Sequence, residues 1–360
     1  MANFNPEAGD AGHDGGGSLP LASEQVAGDV RQQKIHDLVQ LIKESADKLA
    51  QDGSSRGDLK LLSRALRELR YAFKVFSPYR RMRKVTVFGS ARTPSGDPAY
   101  VQAELFGRSM AAHDWLVVTG AASGIMEAGH RGAGRAHSMG LNIMLPFEQE
   151  ANPIIAGDQK LVHMKYFFTR KLMFVKECDA VVCLPGGFGT LDEALEVLTL
   201  LQTGKRDLVP LVLLDAPGGD YWQSFHAFVV HQLRRRALIS PEDLAIYRLT
   251  DDCPEAVGEI LDFYRVYHSM RYVKQKLVLR LREAPHPLLL AAINQQFPDI
   301  LTAGTFELRG PLPEEKDESE VAEFPRLVFR FNRRSLGRLR LLIDCLNHGS
   351  LSPVESRAFP

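Results

Sequence analysis

The residues best suited to chemistry lie in one stretch, positions 185–193, which reads Pro-Gly-Gly-Phe-Gly-Thr-Leu-Asp-Glu. It follows the apolar run Ala180–Leu184 and leads into an apolar-periodic segment that begins at Leu191. This order predicts a buried strand, a tight turn and the start of a helix. Such a junction directs free backbone N–H groups and the positive end of a helix dipole at a ligand, which favours a phosphate. Glu193 adds a carboxylate in the first helical turn, so the stretch indicates a bound nucleotide on which a reaction is carried out.

The same stretch also has a structural interpretation, in which it is a tight turn and the acidic pair Asp192 and Glu193 complements the helix dipole. A turn needs one glycine, and close approach of a ligand to the backbone explains the others. The ligand interpretation is favoured because glycine recurs, at Gly186, Gly187 and Gly189. Thr190 adds a hydroxyl group that can donate to a phosphate. The motif is neither a P-loop, since no Gly-Lys-Ser/Thr follows, nor a Gly-x-Gly-x-x-Gly dinucleotide turn.

A second candidate loop, Thr119–Glu127, contains small residues at another predicted strand-to-helix junction. Gly120 and Gly124 give it the composition of a phosphate or ribose cradle. Close packing of the following helix on the sheet explains the loop equally well, because small residues continue along that helix as far as Gly134. The sequence leaves these two interpretations open.

Two cations, Arg170 and Lys171, lie between apolar flanks in the segment Phe167–Met173. An ordinary solvated face is one explanation. The apolar neighbours instead indicate that the helix is well covered, and a cation in such a place requires a partner. A phosphate or a carboxylate opposite Arg170 meets that need with the fork geometry of the guanidinium group. The sequence favours a functional role for Arg170 and leaves the role of Lys171 open.

Two further residues are weaker candidates. Glu148 follows the third predicted strand and so lies at the same edge of the sheet, although a solvated loop glutamate has the same pattern. Thr199 lies nearly two helical turns after Glu193 and either reaches the pocket or packs in the core. The 11 histidines show no His-x-His or His-Glu-x-x-His spacing, so neither a protein-bound metal nor another cofactor is predicted.

The elements that position these residues alternate between strands and helices over about residues 83–265. Continuous apolar strands between amphipathic helices predict the α/β class, with a doubly wound, Rossmann-like parallel sheet covered on both faces. In such sheets ligands bind at the carboxyl ends of the strands, where the strand order reverses. The predicted strands are Val85–Phe88, Leu116–Thr119, Ile143–Leu145, Ala180–Leu184 and Leu211–Leu214, and the predicted helices span 99–113, 124–139, 167–177, 190–203 and 221–235.

The remaining segments are predicted to be additions to this domain. Residues 1–28, rich in Gly, Asp, Ala and Ser, are predicted to form a disordered tail. Residues 29–82 are predicted to form a helical hairpin, whose second helix starts near Asp58 as its N-cap. Residues 266–360 are predicted to form a small α+β appendage. One side of the second helix of the hairpin carries Leu62, Leu66, Leu69 and Phe73.

Composition limits the possible functions. The 360 residues contain 44 Lys plus Arg and 44 Asp plus Glu, a balance that argues against a nucleic-acid-binding protein. No apolar run approaches the roughly 20 residues needed to cross a bilayer, and residues 1–28 lack the basic and apolar regions of a secretory signal. Neither a membrane nor export is therefore predicted. The 4 cysteines show no Cys-x-x-Cys pairing, which fits a reducing, cytoplasmic environment.

At these residues the sequence resembles a known family. Positions 185–193 resemble the PGGxGTxxE signature of the LOG ("lonely guy") family, the phosphoribohydrolases that release free cytokinin bases from their riboside 5′-monophosphates. Arg170-Lys171 resembles the Arg-Lys pair that lies upstream in that family. The segment Gly120–Glu127 resembles its glycine-rich second loop, and Val87–Ser90 resembles its first. The resemblance covers about half of the chain, and bacterial relatives with this signature often cleave AMP.

The resemblance implies a role for each matching position. Arg170 and Glu193 would be the catalytic pair, while Glu148, Lys171 and Thr199 would line the pocket beside the second loop. The expected substrate is AMP or an N6-modified AMP, cleaved to the free base and ribose 5-phosphate, and the expected assembly is a homodimer or a higher homo-oligomer. The nucleotide would be held by Gly186, Gly187, Phe188, Gly189, Thr190, Leu191 and Asp192.

Departures from the plant members concern the preferred base. The residues Phe167-Phe168-Thr169 stand where those members have Met-His, and Gly120-Ala121-Ala122 replaces an all-glycine segment. Glu127 replaces a small residue. Because of these departures, both AMP and a prenylated adenine nucleotide are expected substrates. The alternative functions are a non-catalytic, nucleotide-binding regulatory protein and a nucleotide-dependent transferase.

Overall fold

The computed structural model describes residues 21–144, 150–316 and 318–350, with side chains described from residue 35 onward. The predicted tail lies outside the described residues up to position 20. The first helix, α1 (Leu21–Leu49), begins seven residues before the predicted end of that tail. Five strong helix formers explain this difference, namely Leu21, Ala22, Glu24, Gln25 and Ala27.

The second helix, α2 (Arg56–Phe76), is capped by Ser55 rather than by Asp58. The Asp58 N–H donates to the Ser55 hydroxyl at 3.2 Å, and the Ser55 N–H donates to the Asp58 carboxylate at 3.0 Å. This reciprocal pair is a capping box, which places Asp58 in the first turn. The chain divides within α2, between Arg64 and Ala65, into two compact units.

The apolar side of α2 that the sequence indicates is not its buried side. Leu62, Leu66 and Phe73 are exposed, and Leu69 is partly buried. The buried residues of the helix are instead Ala65, Glu68, Ala72 and Phe76. Small side chains allow a helix to approach its neighbours closely, so this face combines a tight contact with one enclosed carboxylate.

The larger unit contains a seven-stranded sheet in the order β4-β3-β2-β1-β5-β6-β7. All of its strand pairs are parallel, and helices flank it, so the prediction of a Rossmann-like α/β fold is confirmed. Its strands are β1 (Lys84–Phe88), β2 (Leu116–Thr119), β3 (Ser138–Ile143), β4 (Leu161–Met164), β5 (Ala180–Cys183), β6 (Leu211–Leu214) and β7 (Tyr247–Thr250). The helices between them are α3 (Pro98–Ala112), α4 (Ile125–Ala133), α5 (Phe167–Glu177), α6 (Phe188–Gln202) and α7 (Tyr221–Phe228), and α8 (Cys253–Phe263) follows β7.

The strand order reverses between β1 and β5. The chain builds β2, β3 and β4 outward on one side of β1 and then returns to place β5, β6 and β7 on the other side. The carboxyl ends of β1 and β5 therefore flank the crevice in which ligands of such sheets bind. The segment 185–193 follows β5 directly and so lies at this position.

Two of the seven strands, β4 and β7, were not predicted, and β3 starts at Ser138 rather than at Ile143. The predicted helix 124–139 ends at Ala133 instead, because Gly134 has φ +72° and leaves the helical conformation. Each unpredicted strand has four residues and contains a polar one, His163 or Arg248. Neither strand therefore shows the continuous apolar run of a buried strand.

A second sheet follows with four antiparallel strands in the order β10-β11-β9-β8. Apolar residues of this sheet, such as Leu279 and Phe329, belong to the same continuous core as Val87 of the parallel sheet. No helix in the described part of the chain is long and apolar enough to span a membrane. The elements are β8 (Tyr267–Val273), β9 (Lys276–Leu281), α9 (Pro287–Gln296), β10 (Leu301–Arg309), β11 (Arg326–Phe331) and α10 (Leu336–His348).

Candidate active site

The junction between β5 and α6 has the geometry of an anion site. Gly187 is the N-cap of α6 and contributes no side-chain cap, and its carbonyl accepts the N–H groups of Thr190 and Leu191 at 3.1 and 3.2 Å. Helix geometry leaves the earlier N–H groups of the first turn without an intrahelical acceptor. These groups and the helix dipole together favour an anion in front of the loop.

The three glycines of this loop have different surroundings. A Cβ atom on Gly186 would lie 2.2 Å from the Thr190 hydroxyl oxygen and 3.0 Å from the Ser90 nitrogen, so this glycine is required by packing. A Cβ atom on Gly187 or Gly189 would meet no atom within 4 Å. Their lack of side chains keeps open the space in front of the amides, as a ligand that approaches the backbone requires.

The three glycine-containing strand ends contact one another. The Ser90 N–H, after β1, donates to the Pro185 carbonyl at 3.2 Å, and the Ile125 N–H donates to the Ser90 carbonyl at 2.9 Å. A Cβ atom on Gly124 would lie 2.3 Å from the Ser90 carbonyl oxygen, and this glycine has φ +65°. The Tyr221 hydroxyl donates to the Gly186 carbonyl at 2.6 Å. The loops after β1, β2 and β5 therefore form one continuous edge.

Glu193, in the second turn of α6, is only 6% exposed. Its Oε2 atom is enclosed and has no hydrogen-bond partner among the described residues. Burial raises the pKa of this carboxyl to about 7, although the cations Lys171 and Arg170 act in the opposite direction. A buried carboxyl with an unused oxygen and a pKa near neutrality is typical of a catalytic acid or base.

Lys171 contacts the acidic residues of α6, but Glu193 is the most distant of them. Its Nζ lies 2.7 Å from Asp192 and 3.3 Å from Glu196, and 4.0 Å from Glu193. Burial disfavours the charged lysine, but the hydrogen bond with Asp192 and the charge of Glu193 raise its pKa overall. Lys171 is the strongest influence that opposes burial at Glu193, but burial prevails and the pKa of the carboxyl stays raised.

The Arg170 guanidinium group on α5 lies close to the second loop. A Cβ atom on Gly120 would lie 3.6 Å from its Nη1 atom, and its guanidinium group lies 5.1 Å from the ring centroid of Phe167 and 5.6 Å from that of Phe174. Its Nε atom is enclosed and has no hydrogen-bond partner within the described ranges. Burial lowers the pKa of Arg170, and the charge of Glu193 partly offsets this effect. The two predicted catalytic residues thus each retain one unused buried polar atom.

A buried histidine, His130, supports the second loop, Thr119–Glu127, through a hydrogen-bond network. His130 is fully enclosed, and burial lowers its pKa to about 4, so its ring is neutral at pH 7. The Asn152 amide donates to its Nδ1 atom at 3.2 Å, and its Nε2 atom therefore carries the proton and donates to the Met139 carbonyl at 2.9 Å. The Asn152 N–H also donates to the carbonyl of Ala121, which has φ +60°. This network holds the loop in a conformation that alanine rarely adopts.

The other predicted residues have mixed placements. Phe188 is 93% exposed at the start of α6, and Leu191 is partly buried against the core. Thr190 is buried beneath Gly186. The Thr199 hydroxyl donates to the Leu195 carbonyl at 2.8 Å on an exposed part of the helix. Glu148 lies outside the described residues.

Several residues that shape the site were not predicted: Tyr221, His130, Asn152 and Glu68. Ser90 was indicated only as the last residue of the first loop, Val87–Ser90. Most of them act through hydrogen bonds to residues distant in sequence, for which spacing gives no signal. His130 and Glu68 had one usable signal, because each is a polar residue among small ones on a helix face. Such a residue is buried only when it has partners.

The fold and the site define a Rossmann-like α/β protein with a glycine-rich, amide-lined loop and an enclosed carboxylate at the switch point of its sheet. Residues 120–260 match the family model described as "Possible lysine decarboxylase". The chain is 31% identical over 177 residues to cytokinin riboside 5′-monophosphate phosphoribohydrolase LOG7 of Arabidopsis thaliana. This match covers 44% of this chain and 76% of LOG7. The chain belongs to this family, the LOG family, as the signature at 185–193 predicts.

Two further similarities extend the comparison. The chain is 29% identical over 148 residues to the pyrimidine/purine nucleotide 5′-monophosphate nucleosidase of Escherichia coli (strain K12). This match covers 38% of this chain and 33% of that protein. Among solved structures, the molybdenum cofactor carrier protein of Chlamydomonas reinhardtii matches with 20% identity and a TM-score of 0.36, over 50% of this chain and 99% of that one.

Proposed function

We propose that the protein hydrolyses the N-glycosidic bond of purine nucleoside 5′-monophosphates, giving the free base and ribose 5-phosphate. The observation that carries the proposal is Glu193, a buried carboxyl with an unused oxygen and a pKa of about 7, one turn behind an open amide loop. The similarity to a phosphoribohydrolase and to a nucleotide nucleosidase supports the same reaction class.

Cleavage of this bond passes through an oxocarbenium-like sugar that is positive at its anomeric carbon. The ionised Glu193 stabilises that charge and accepts a proton from the attacking water, whose oxygen forms the new bond to the anomeric carbon. The base leaves with the electron pair of the broken C–N bond and takes up a proton. This use of a carboxylate parallels its role in O-glycoside hydrolysis.

The remaining residues bind and orient the substrate. The amides around Gly187 and Gly189 hold the 5′-phosphate, and Arg170 holds the ribose side of the nucleotide, with its charge acting on Glu193 without a direct contact. Binding of the phosphate, which does not react, supplies energy that positions the sugar. A nucleoside without the phosphate should therefore be a poor substrate.

The first experiment is an assay of purified protein with a panel of 5′-monophosphates that includes AMP and N6-prenyl-AMP. We expect free base to be released from at least one of these nucleotides, at a kcat/KM about 100-fold or more above that of the matching nucleoside, because binding energy from the phosphate is lost in the nucleoside. Chromatography of the released base gives the rates. Tight nucleotide binding without base release on long incubation would instead indicate a non-catalytic regulator.

We also propose that the protein forms homodimers through α5 and α6. These helices carry exposed apolar side chains next to the site: Phe167, Phe168 and Leu172 on α5 and Leu195 on α6. Light scattering of the wild-type protein should give at least twice the chain mass of 40.1 kDa, and Leu172→Glu should reduce it. The matched control is Leu288→Glu, since Leu288 is even more exposed but lies on α9. A monomeric wild-type protein contradicts this assembly.

A further inference from the structure

Glu68 is a charged residue enclosed on the small-residue face of α2, with only 5% of its surface exposed. A carboxylate in such a place requires strong partners. One oxygen, Oε1, accepts the backbone N–H of Lys165 at 2.9 Å, and the other, Oε2, accepts the hydroxyl of Thr169 at 2.8 Å. Both partners lie about 100 residues away along the chain, at the start of α5.

These two partners fix the first turn of α5. Lys165 precedes the helix, and Thr169 is its third residue and is fully buried. The N-cap residue of α5, Tyr166, provides no side-chain cap. The Thr169 hydroxyl also lies 2.9 Å from the Tyr166 carbonyl oxygen, but an ionised carboxylate is the stronger acceptor of its single proton. Glu68 therefore ties the residues at the start of α5 to α2, through one backbone N–H before the helix and one side-chain hydroxyl in its first turn.

The next residue after Thr169 is Arg170, whose position depends on this turn. Within the described residues no carboxylate lies within 4.0 Å of its guanidinium nitrogens, and its Nε atom has no hydrogen-bond partner. Contacts with the rings of Phe167 and Phe174 come from its own helix. The backbone of α5 is thus what sets the position of the guanidinium group, and Glu68 with Thr169 sets the backbone.

We propose that Glu68 is a positioning residue for the candidate catalytic Arg170 and acts through Thr169 and the Lys165 amide. Glu68 lies before the residues that match the family model, 120–260. The proposal also accounts for Thr169 in the segment where this chain departs from the plant members. It rests on the proposed function, because it assigns Glu68 a role in that reaction.

The test compares Glu68→Ala and Thr169→Val with the conservative variants Glu68→Gln and Thr169→Ser. An amide at position 68 can accept the Lys165 N–H and donate to Thr169, and serine keeps the hydroxyl. We expect kcat for AMP to fall about 10- to 100-fold in the first pair, as a displaced catalytic group entails, with a smaller rise in KM because the phosphate loop is intact. The conservative pair should recover most of kcat. Glu44→Gln, the same change on an exposed residue of α1, should have no effect.

Two further measurements separate positioning from general destabilisation and from failure of the proposed function. In an Arg170→Ala background, Glu68→Ala should lower kcat no further, because the guanidinium group that Glu68 positions is already absent. Hydrogen exchange of the peptide 165–170 should accelerate in Glu68→Ala and Thr169→Val at temperatures where both remain folded. An equal loss of kcat in both backgrounds, or unchanged exchange, overturns the proposal. A wild-type protein that releases no base overturns the proposed function instead, and the exchange measurement still decides whether Glu68 holds α5.

Discussion

Glu193→Gln is expected to bind AMP but to release adenine at least several hundred-fold more slowly than the wild-type protein, as loss of a general base entails. The amide is nearly isosteric with the carboxyl, so the enclosed site keeps its shape. It carries no negative charge for the oxocarbenium-like sugar and cannot accept the proton of the attacking water. Single-turnover measurement of adenine release, with AMP affinity determined by calorimetry, separates loss of chemistry from loss of binding.

The matched control for this variant is Glu196→Gln. Glu196 lies three residues further along α6 and also contacts Lys171, at 3.3 Å, but its side chain is 41% exposed. Its replacement removes an equal charge from the same cluster and should leave kcat within about threefold of wild type, since exposed ion pairs contribute little. Equal losses in the two variants would show that the cluster charge matters rather than one carboxylate, and normal turnover in Glu193→Gln would exclude the mechanism.

The pKa of Glu193 also predicts the pH dependence of the reaction. A general base must be ionised, so log kcat/KM should rise with pH below about 7 and level off above it. The second ionisation of the substrate phosphate, with a pKa of about 6, adds a similar rise in every variant. The phosphate ionisation also shapes the pH profile of the residual activity of Glu193→Gln. The part of the wild-type rise with pH that is missing from the variant's profile is therefore due to Glu193.

The same shift makes Glu193 unfavourable for folding at neutral and alkaline pH. Burial raises its pKa from 4.5 in the unfolded chain to about 7 in the folded protein. The folded state therefore binds the proton more tightly, and this contribution to stability is complete below pH 4.5 and is lost as the pH rises through 7. Glu193→Gln should consequently be the more stable protein above pH 7, by up to a value on the order of 3 kcal/mol. This exchange of stability for a reactive group is expected at a functional site.

The parts of the site that the sequence predicted are those specified by local patterns. The helix α5 has the predicted bounds, Phe167–Glu177, and α6 starts at Phe188, within two residues of its predicted start. For both helices, a local sequence signal lies within a few residues of the helix end: a repeating pattern of apolar residues, a glycine turn or a change in composition. Because β5 and α6 are consecutive, the placement of Glu193 behind the loop follows from the chain itself.

The parts that were missed depend on contacts between distant segments. The side of α2 that packs could not be read from its leucines, because the buried face consists of Ala65, Ala72, Phe76 and one carboxylate. The role of that carboxylate, Glu68, depends on partners at Lys165 and Thr169. Hydrophobic periodicity indicated the wrong face of this helix, and it gives no signal for which polar groups meet on a buried face, so these pairs become visible only in the folded structure.

The glycine loop shows the same division between what a motif can indicate and what the structure adds. The recurrence of glycine in 185–193 indicated a ligand, but the motif alone does not separate glycines required by packing from those that admit a ligand. In the structure Gly186 is blocked by Thr190 and Ser90, whereas Gly187 and Gly189 adjoin open space. This contrast allows the phosphate site to be tested without damage to the fold.

Gly187→Ala is expected to leave stability unchanged and to lower kcat/KM for AMP by about 100-fold. Its φ of −84° and ψ of −159° suit alanine, and the added methyl group would meet no protein atom within 4 Å. The methyl group would instead occupy the space through which a phosphate approaches the amides. Loss of one or two hydrogen bonds to a charged group, each contributing roughly 1.5–3 kcal/mol, corresponds to this factor. Thermal unfolding and steady-state kinetics with AMP measure the two quantities.

The comparison that makes this result decisive uses three glycines. Gly258→Ala also adds a methyl group in open space, but on α8, and should preserve both stability and kinetics. Gly186→Ala should destabilise the protein, because its methyl group would lie 2.2 Å from the Thr190 hydroxyl. Activity on the matching nucleoside should be nearly the same in Gly187→Ala and wild type, since no phosphate is lost from that reaction. If Gly187→Ala cleaves AMP as fast as wild type does, the anion does not bind at these amides, and the phosphate must be assigned to another part of the edge formed by the three loops.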